Sequence, residues 1–415
     1  MKGHLLGRGV AVSLLSLLAC AAPCLAQASF DPTVPGQPGL ALGITEPNPN
    51  FVWPAEDRAV PEPFAAWRTE FAALRPQIYR LMLDWPRLQP DPTVPADLDR
   101  ASDGCSRGVP PCLGWQGVRE QLAALAAAQR RTGVQALVTI TGTPGWAVPP
   151  AGGGCVRATD PPRSRPPRDD TLPAYRQLVR RVLRAAGRAG AQLRFWSAWN
   201  EPNHPYFLTP QRAVCDVGSP TIAVAPYQKL VRSLDRALAR APGRQEQFLG
   251  ELASSINGST LTTGVGEFIA ALPEDVVCAS PVWLQHLYVG GTGTIDAAVR
   301  ALDAHSCARP HAIWLTETGL GIARSGPPTD EPVPQDLPGA CGRLHHWILH
   351  WYEHPRVTAA VQYTFREDPL FRTGLVPASM DHPYRVLRPW QAWGQRPDSS
   401  SPPPTAEQAC GGAAR

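Results

Sequence analysis

The chain has 415 residues, of which 43% are hydrophobic and only 18% are charged, with a formal net charge of +4. This length suits one large domain, and the apolar fraction is enough for a sizeable core. The charge is too small to give an electrostatic reason for a nucleic-acid partner. Composition therefore favours a globular protein and excludes a basic nucleic-acid-binding chain or a disordered one.

The N-terminus has the pattern of an export signal. A positively charged start and a short apolar run at 10–19 precede Ala-Gln-Ala at 26–28, which is typical of a cleavage site. We therefore predict a signal peptide at 1–28 and a protein that is secreted or held in the cell envelope. A weaker match to a lipoprotein signal would leave Cys20 lipidated. No other apolar run reaches the roughly 18 residues of a transmembrane helix, so no membrane span is expected.

Eight short apolar runs alternate along the chain with longer amphipathic or alanine-rich stretches. Such alternation predicts a parallel sheet covered by helices, and eight repeats predict a single-domain (β/α)₈ TIM barrel. A doubly wound open sheet is the alternative, but the chain lacks the Gly-rich first turn of that fold. The predicted strands are 40–45, 77–83, 134–141, 192–199, 247–251, 282–287, 312–317 and 358–365.

The connections between these elements are unequal. The loops after predicted strands two, three, four and seven are long, whereas the helix-to-strand connections are short. Long loops on one rim fit a barrel that binds its ligand at the C-terminal face. We predict a Pro-rich lead-in at 29–39, one barrel domain at 40–395 and a low-complexity tail at 396–415, which we expect to be disordered unless Cys410 anchors it.

Eight cysteines remain after cleavage of the predicted signal peptide. An even number in an exported chain predicts disulfides, although the sequence does not fix their pairing. Cys105 and Cys112 are close enough in one loop for a local bridge. Cys155 and Cys215 lie in two loops that would share one face of the predicted barrel. No Cys-x-x-Cys pair or histidine cluster has the spacing of a zinc site.

Two predicted strands end in a glutamate. Trp-Asn-Glu-Pro-Asn at 199–203 brings Glu201 to the end of strand four, and Leu-Thr-Glu-Thr-Gly at 315–319 brings Glu317 to the end of strand seven. Glycosidic bond cleavage needs two such carboxylates, one as an acid and the other as a nucleophile or base. A glutamate at a strand end is by itself usually a solvated loop residue, but the pair on one rim favours catalysis. Two further acids end predicted strands one and five and are the rivals: Glu46 and Glu251.

The same segments resemble a known group of enzymes. Trp-Asn-Glu-Pro-Asn resembles the acid/base motif of the glycoside hydrolase clan A barrels, and Leu-Thr-Glu-Thr-Gly resembles their nucleophile strand. Arg80 resembles the arginine of strand two of the clan, and His286 and Tyr288 resemble its strand-six pair. Thr-Pro-Gly-Trp at 143–146 resembles the strand-three end of family 39-like members. The resemblance runs from about residue 40 to 393 and points to a family 39-like or family 5-like enzyme.

The resemblance implies a role for each matching residue. Glu201 would be the general acid and then the base, and Glu317 would be the nucleophile, held ionised by Arg80 and by a hydrogen bond from Tyr288. Asn200 would bind the sugar 2-hydroxyl. Clan membership implies retention of configuration, with the two carboxyl groups about 5–5.5 Å apart. No metal or organic cofactor is implied, because two carboxylates suffice.

Aromatic side chains at strand ends are candidates for stacking against sugar faces. Trp85 and Trp146 are expected to line subsites in this way. Many family 5-like members have a Trp at the end of strand eight, and here either Phe365 substitutes for it or the floor of the −1 subsite differs. Further candidates in the rim loops are Trp53, Tyr206, Phe207 and Phe371, whereas Trp196 and Trp314 lie inside strands and are expected to serve packing.

The sequence thus predicts an exported retaining β-glycoside hydrolase that acts on a poly- or oligosaccharide. The sugar, the linkage and the choice between endo and exo action stay open. We expect a carbohydrate substrate and no nucleic-acid partner. A monomer is expected, although the sequence does not fix the oligomeric state. Two alternatives share the barrel: a non-catalytic glycan-binding protein of the cell envelope, and a transglycosylase in which a sugar hydroxyl replaces water.

Overall fold

The computed structural model describes residues 30–150, 152–288, 292–320 and 333–411. Its strands form one closed parallel barrel in sequence order, so the predicted (β/α)₈ fold is confirmed. The predicted signal peptide lies outside the described residues. The strands are β1 Ala41–Thr45, β2 Ile78–Asp84, β3 Gln135–Thr141, β4 Phe195–Ser197, β5 Glu246–Leu252, β6 Val282–Tyr288, β7 Ala312–Gly319 and β8 Val357–Tyr363.

Helices cover the outside of the barrel, and two of those described, α4 and α5, end in a left-handed glycine. The glycine after α4 has φ of 71° and the glycine after α5 has φ of 78°, a conformation that glycine adopts without steric cost. The chain therefore turns within a few residues into the next strand, as the short connections predict. The α-helices are α1 Pro49–Val52, α2 Phe64–Ala73, α3 Trp85–Leu88, α4 Gly117–Thr132, α5 Leu172–Ala189, α6 Val224–Leu238, α7 Val265–Ala270, α8 Glu274–Cys278, α9 Thr292–Asp303, α10 Ala340–Glu353, α11 Leu387–Gly394 and α12 Ala406–Cys410.

Apolar side chains close the lower half of the barrel lumen. The rings of Phe195, Phe248 and Trp314 meet there, with centroids 4.9–5.1 Å apart. A second, larger core lies between the strands and the helices and includes Trp196. Trp196 and Trp314 are therefore packing residues, as predicted. Because the floor is filled, the lumen offers space to a ligand only at its C-terminal mouth.

Two strands, β4 and β8, end two residues earlier than predicted. β4 pairs with its neighbours over only three residues, because the backbone on either side of Phe195–Ser197 leaves the ladder. β8 ends at Tyr363, two residues earlier than predicted, which changes the direction of the side chains that follow. Both differences fall at the mouth of the barrel, where loops and not sheet pairing decide the backbone.

Four disulfides link the described chain. Cys105–Cys112 is the local bridge and Cys155–Cys215 joins the loops after β3 and β4, as the sequence indicates. Cys278–Cys307 lies at the opposite end of the barrel, next to the starts of β6 and β7. Cys341–Cys410 attaches α12 to α10, so Cys410 anchors the C-terminal segment and residues 396–411 are ordered. Among the helices described, none has the length and apolar character needed to cross a membrane.

Candidate active site

Strand alternation brings polar side chains to the mouth of the barrel above the apolar floor. Ile78 belongs to the floor, and Arg80 follows it by two positions on the same face of β2. On β6, Leu284 likewise belongs to the floor of the barrel, and His286 and Tyr288 come two and four positions later. The strands thus carry a guanidinium, an imidazole and a phenol into the same space.

A bulge in β7 directs Glu317 into the lumen. Trp314 faces the floor, so simple alternation would point Thr316 inward and Glu317 toward the helices. The pairing with β6 shifts by one residue between Leu315 and Glu317, which leaves Thr316 as an extra residue. Bulges re-aim side chains in this way and are frequent beside active sites. Glu317 therefore joins the strand-six pair at the mouth.

A second bulge places Glu251. Gly250 and Leu252 pair with consecutive residues of β6, so Glu251 is the extra residue of β5, with φ of 55°. Glu201 also has a positive φ, of 43°, and its N–H donates to the Glu251 carbonyl over 2.9 Å. Left-handed backbone is uncommon for residues other than glycine and is concentrated at functional sites. The two acids therefore fix each other's backbone.

Arg80 links three of the polar groups. Its Nε donates to Glu251 Oε1 and its Nη1 donates to Glu317 Oε1, both over 2.8 Å. Its Nη2 donates to Asn200 Oδ1 over 2.7 Å. The guanidinium is fully buried, so this planar fork holds all three partners in one geometry. Of the predicted site residues, Arg80, Asn200 and Glu317 are thus brought together.

His286 connects the two predicted catalytic carboxylates. Its Nδ1 lies 2.8 Å from Glu201 Oε1 and 3.3 Å from Glu317 Oε2, while the Tyr288 hydroxyl donates to Glu317 Oε2 over 2.7 Å. His286 Nε2 is buried and has no hydrogen-bond partner among the described residues, so the ring proton belongs on Nδ1. One oxygen of Glu201, one of Glu317 and this nitrogen all lie within 4.8 Å of one another.

The surroundings determine the charge of this cluster. Burial by itself would raise the pKa of Glu317, but His286, Arg80 and the Tyr288 hydrogen bond outweigh burial and lower it. Burial likewise opposes protonation of His286, and the carboxylates of Glu317 and Glu201 raise its pKa above the usual range. Glu317 is therefore ionised at neutral pH.

Glu201, His286 and Glu317 also lie close enough together to be considered as ligands of a metal ion. Both Glu317 oxygens, however, already accept hydrogen bonds, one from Arg80 and one from Tyr288. A cation beside the Arg80 guanidinium would also be repelled by it. The donor set therefore fits a hydrogen-bonded carboxylate pair better than a metal centre.

Glu46 is bound to the backbone of the rim. Its side chain is buried at the end of β1, and its two oxygens accept the N–H groups of Asn48 and Arg366, each over 2.9 Å. Burial raises the pKa of Glu46 to about 7, although these two N–H groups act in the opposite direction. Glu46 thus joins the ends of β1 and β8, whereas Glu251 is bonded to Arg80 through Oε1. The acid that lies in one group with Glu201 and His286 is Glu317.

The two predicted subsite tryptophans, Trp85 and Trp146, differ in their burial. Trp85 is fully buried, with its ring centroid 5.8 Å from that of Trp146 and 5.6 Å from that of Tyr175. Trp146 is partly buried and donates its Nε1 proton to the Gln89 carbonyl. It borders a surface cavity that it shares with α5. The expectation that Trp85 stacks on sugar is therefore corrected, because its ring is buried in the core. The role predicted for Trp146, which is partly exposed, stays a prediction.

Phe365 is also a core residue. Because β8 ends at Tyr363, alternation stops there, and the Phe365 ring is fully buried 5.2 Å from both Phe51 and Phe71. The residue at the lumen position is Tyr363, which the sequence reasoning missed. Its ring lies 5.6 Å from that of Phe371. The signal was present in the sequence, because Ala359, Val361 and Tyr363 are in phase along one strand.

A cavity of about 860 Å³ adjoins this cluster. Arg80 and Tyr363 line its inner part, and the loops that follow β1, β2 and β8 form the rest of its wall. The volume is within the roughly 300–1,000 Å³ that is typical of small-molecule sites. Ligand-sized space and the carboxylate pair thus meet at Arg80.

No protein-family model matches the sequence, and no curated protein sequence matches it. Solved structures do match. A conserved exported protein from Bacteroides fragilis is 12% identical, with a TM-score of 0.56 over 91% of this chain and 84% of that one. SrfJ from Salmonella typhimurium is 12% identical, with a TM-score of 0.52 over 89% and 77%.

Two further similar structures are named as enzymes. A GH30 endoxylanase from Clostridium papyrosolvens is 11% identical, with a TM-score of 0.50 over 88% of this chain and 73% of that one. The beta-glucuronidase 2 of Bacteroides uniformis is 14% identical, with a TM-score of 0.50 over 88% of this chain, which spans only 35% of the enzyme. At these identities the likeness shows a shared (β/α)₈ fold, one that glycoside hydrolases use, as the sequence resemblance implies.

Proposed function

We propose that the protein is a retaining β-glycoside hydrolase in which Glu201 is the acid/base and Glu317 is the nucleophile. The observation that carries this proposal is the approach of one Glu201 oxygen and one Glu317 oxygen to within 4.8 Å at the mouth of the barrel. Retaining glycosidases have carboxyl groups about 5–5.5 Å apart, whereas inverting enzymes separate them by roughly 6.5–9.5 Å to admit a water. The short separation therefore favours direct attack by Glu317.

The reaction has two steps. The Glu317 carboxylate attacks the anomeric carbon while the Glu201 carboxylic acid gives its proton to the glycosidic oxygen, and the leaving group departs as an alcohol. Glu201, now a carboxylate, then takes a proton from a water that attacks the same carbon and releases Glu317. His286, Arg80 and the Tyr288 hydroxyl lower the pKa of Glu317 and keep it ionised in the free enzyme. Asn200, held by Arg80, is positioned for the 2-hydroxyl of the sugar.

The location follows from the cysteines. Four disulfides are typical of a protein that folds in an oxidising compartment. Together with the export-signal pattern at 1–28, they support a secreted or envelope-bound enzyme. Its substrate would then be a poly- or oligosaccharide outside the cytoplasm.

A panel of aryl β-glycosides and β-linked polysaccharides tests the proposal. Glu201→Gln should lower the rate on polysaccharide by about 10²–10⁴-fold, because proton transfer to the leaving oxygen is lost. The loss should be smaller for aryl glycosides whose phenol is acidic, since that leaving group needs no proton. Glu317→Gln should lose activity on every substrate. Glu353→Gln is the matched control, because Glu353 is exposed at the end of α10.

The stereochemistry gives a second, independent result. NMR of early products should show the same anomer as the substrate, and an inverted product would exclude Glu317 as the nucleophile. Normal polysaccharide hydrolysis by Glu201→Gln would remove the acid/base assignment. Tight glycan binding without turnover would favour the non-catalytic barrel, and transfer of sugar to an added acceptor in place of water would favour the transglycosylase.

A further inference from the structure

One rim loop crosses over a neighbouring sector of the barrel. β1 lies between β8 and β2, yet the loop after β2 reaches the loop after β8. Ser106 Oγ donates to the Glu367 carbonyl, and Arg107 Nε donates to Asp368 Oδ1, each over 2.7 Å. The crossing segment is residues 105–112, closed by the Cys105–Cys112 bond, and is called the disulfide loop below.

The β8 side and α1 hold the disulfide loop from beneath. The buried Arg366 guanidinium donates to the Gly104 carbonyl over 3.1 Å and to the Val109 carbonyl over 2.9 Å. Asn50 in α1 donates its Nδ2 proton to the Leu113 carbonyl over 3.1 Å. The carbonyls that flank the segment on each side and one in its middle are thus bonded to the barrel. The disulfide loop is therefore a fixed wall between the β2 and β8 sides of the rim.

This wall bounds the cavity of about 860 Å³ beside the catalytic cluster. Arg80 and Tyr363 line the inner part of the cavity, and residues 104–108 line its outer part. A sugar chain that runs from the inner part outward would meet the disulfide loop and the Arg107–Asp368 ion pair. The volume of the cavity lies within the range of small-molecule pockets.

The positions of the two carboxylates give the direction of the substrate. The leaving group must lie at Glu201, which follows β4 and whose N–H is bonded to Glu251 of β5. The sugar that Glu317 attacks extends away from this side, toward Tyr363 at the end of β8. Three strands lie between β4 and β8 on each side of the barrel, so the two directions are opposed. The walled cavity is therefore on the glycone side, the side of the non-reducing end.

We propose that the disulfide loop makes the protein an exo-acting enzyme that accepts only the non-reducing end of a glycan and releases a short unit from it. This inference rests on the proposed function, because it uses the roles of Glu201 and Glu317 to orient the substrate. The aglycone, in contrast, leaves the site on the β4 and β5 side, where Tyr206 is more than half exposed in the rim loop.

The test uses the full-length protein and the linkage that the substrate panel identifies. Linear oligosaccharides of that linkage are supplied with a free or a methylated non-reducing end. We expect one short product from the first time point, and hydrolysis of the end-blocked substrate slowed by about 100-fold or more, because the added groups meet a fixed wall. On polysaccharide, reducing ends should accumulate while viscosity falls slowly.

Two variants weaken the wall by different means. Cys105→Ser with Cys112→Ser opens the disulfide loop, and Arg107→Ala removes only an ion pair whose arginine side chain is 55% exposed. Each should raise the rate on end-blocked substrate relative to free-end substrate. Cys278→Ser with Cys307→Ser is the matched control at the opposite end of the barrel and should leave this ratio unchanged. Circular dichroism checks that each variant folds, and Arg107→Ala keeps every disulfide.

The outcomes separate the two proposals. Products of mixed length from the first time point, or equal rates on free and blocked ends, would overturn exo action while the glycosidase proposal stands. The ratio of the rate on end-blocked substrate to the rate on free-end substrate could also change no more in the loop variants than in the Cys278/Cys307 control. That result would show that the disulfide loop does not cause the selectivity for free ends. Failure to hydrolyse any glycan in the panel would overturn the proposed function and this inference with it.

Discussion

Glu317 has its charge set by three neighbours that come from two other strands. Arg80 on β2 gives one hydrogen bond to Glu317 and another to Glu251, so its single positive charge is divided between two carboxylates. A buried carboxylate with no such partners would take up a proton. His286, Arg80 and the Tyr288 hydroxyl together outweigh burial and keep Glu317 ionised, which suits the proposed nucleophile.

Tyr288→Phe should move the acid side of the activity profile to higher pH. The Tyr288 hydroxyl lowers the pKa of Glu317, so removal of the hydroxyl raises that pKa, and the reactive carboxylate is lost at a higher pH as the solution is acidified. A hydrogen bond to a charged group contributes about 1.5–3 kcal/mol, which corresponds to roughly one to two pH units. The measurement is kcat/KM against pH on an aryl glycoside.

The control for this change removes a hydroxyl at a distance from the mouth. Tyr352→Phe alters a side chain of α10 that packs near Trp393 and should leave the profile in place. An acid limb that stays fixed in Tyr288→Phe, with the fold intact, would show that the phenol does not set the charge of Glu317.

At the scale of single elements, the strands were easier to predict than the phase of their side chains. The acids at 201 and 317 could be located from sequence because each ends an apolar run with a specific motif. The bulges in β5 and β7 could not be predicted from sequence, because they depend on pairing with β6. The same limit explains Phe365: where β8 ends decides whether that ring faces the lumen or the core.

The disulfides that fix the rim loops should differ in their effect on stability. Cys155–Cys215 closes a segment with a sequence separation of 60, against 7 for Cys105–Cys112. Loop-closure entropy then gives about 4 kcal/mol for the longer segment and about 2 kcal/mol for the shorter one. Paired Cys→Ser variants in urea should show the larger loss of unfolding free energy for Cys155 and Cys215. Equal losses, or the reverse order, would mean that native contacts and not chain entropy dominate.

At the scale of the whole molecule, the eight strand–helix repeats in the sequence predict the barrel and its mouth. They do not predict that the segment after α11 closes the lower end of the barrel. The segment after α11 is rich in Pro, Ser, Ala and Gly, a composition typical of disorder. It is ordered through contacts with residues hundreds of positions away. Ser399 accepts the Leu40 N–H over 3.0 Å, and Arg396 donates to the Leu40 carbonyl over 2.9 Å. Local composition cannot reveal such contacts, and Cys410 was the feature of the sequence that indicated an anchored segment.

Removal of residues 396–415 should therefore destabilise the whole barrel. The truncated chain loses the Cys341–Cys410 bond, whose sequence separation of 69 corresponds to about 4 kcal/mol of chain entropy. It also loses the bonds to Leu40, where the first strand begins. The reference is the full-length double variant Cys341→Ser with Cys410→Ser. The truncated chain carries Cys341→Ser, so that neither protein has a free thiol from this bond. Urea unfolding should show the truncated chain to be the less stable of the two, while kcat/KM of the folded fraction on an aryl glycoside is unchanged because the mouth is at the other end. Equal unfolding free energies would mean that the segment acts only through its cysteine.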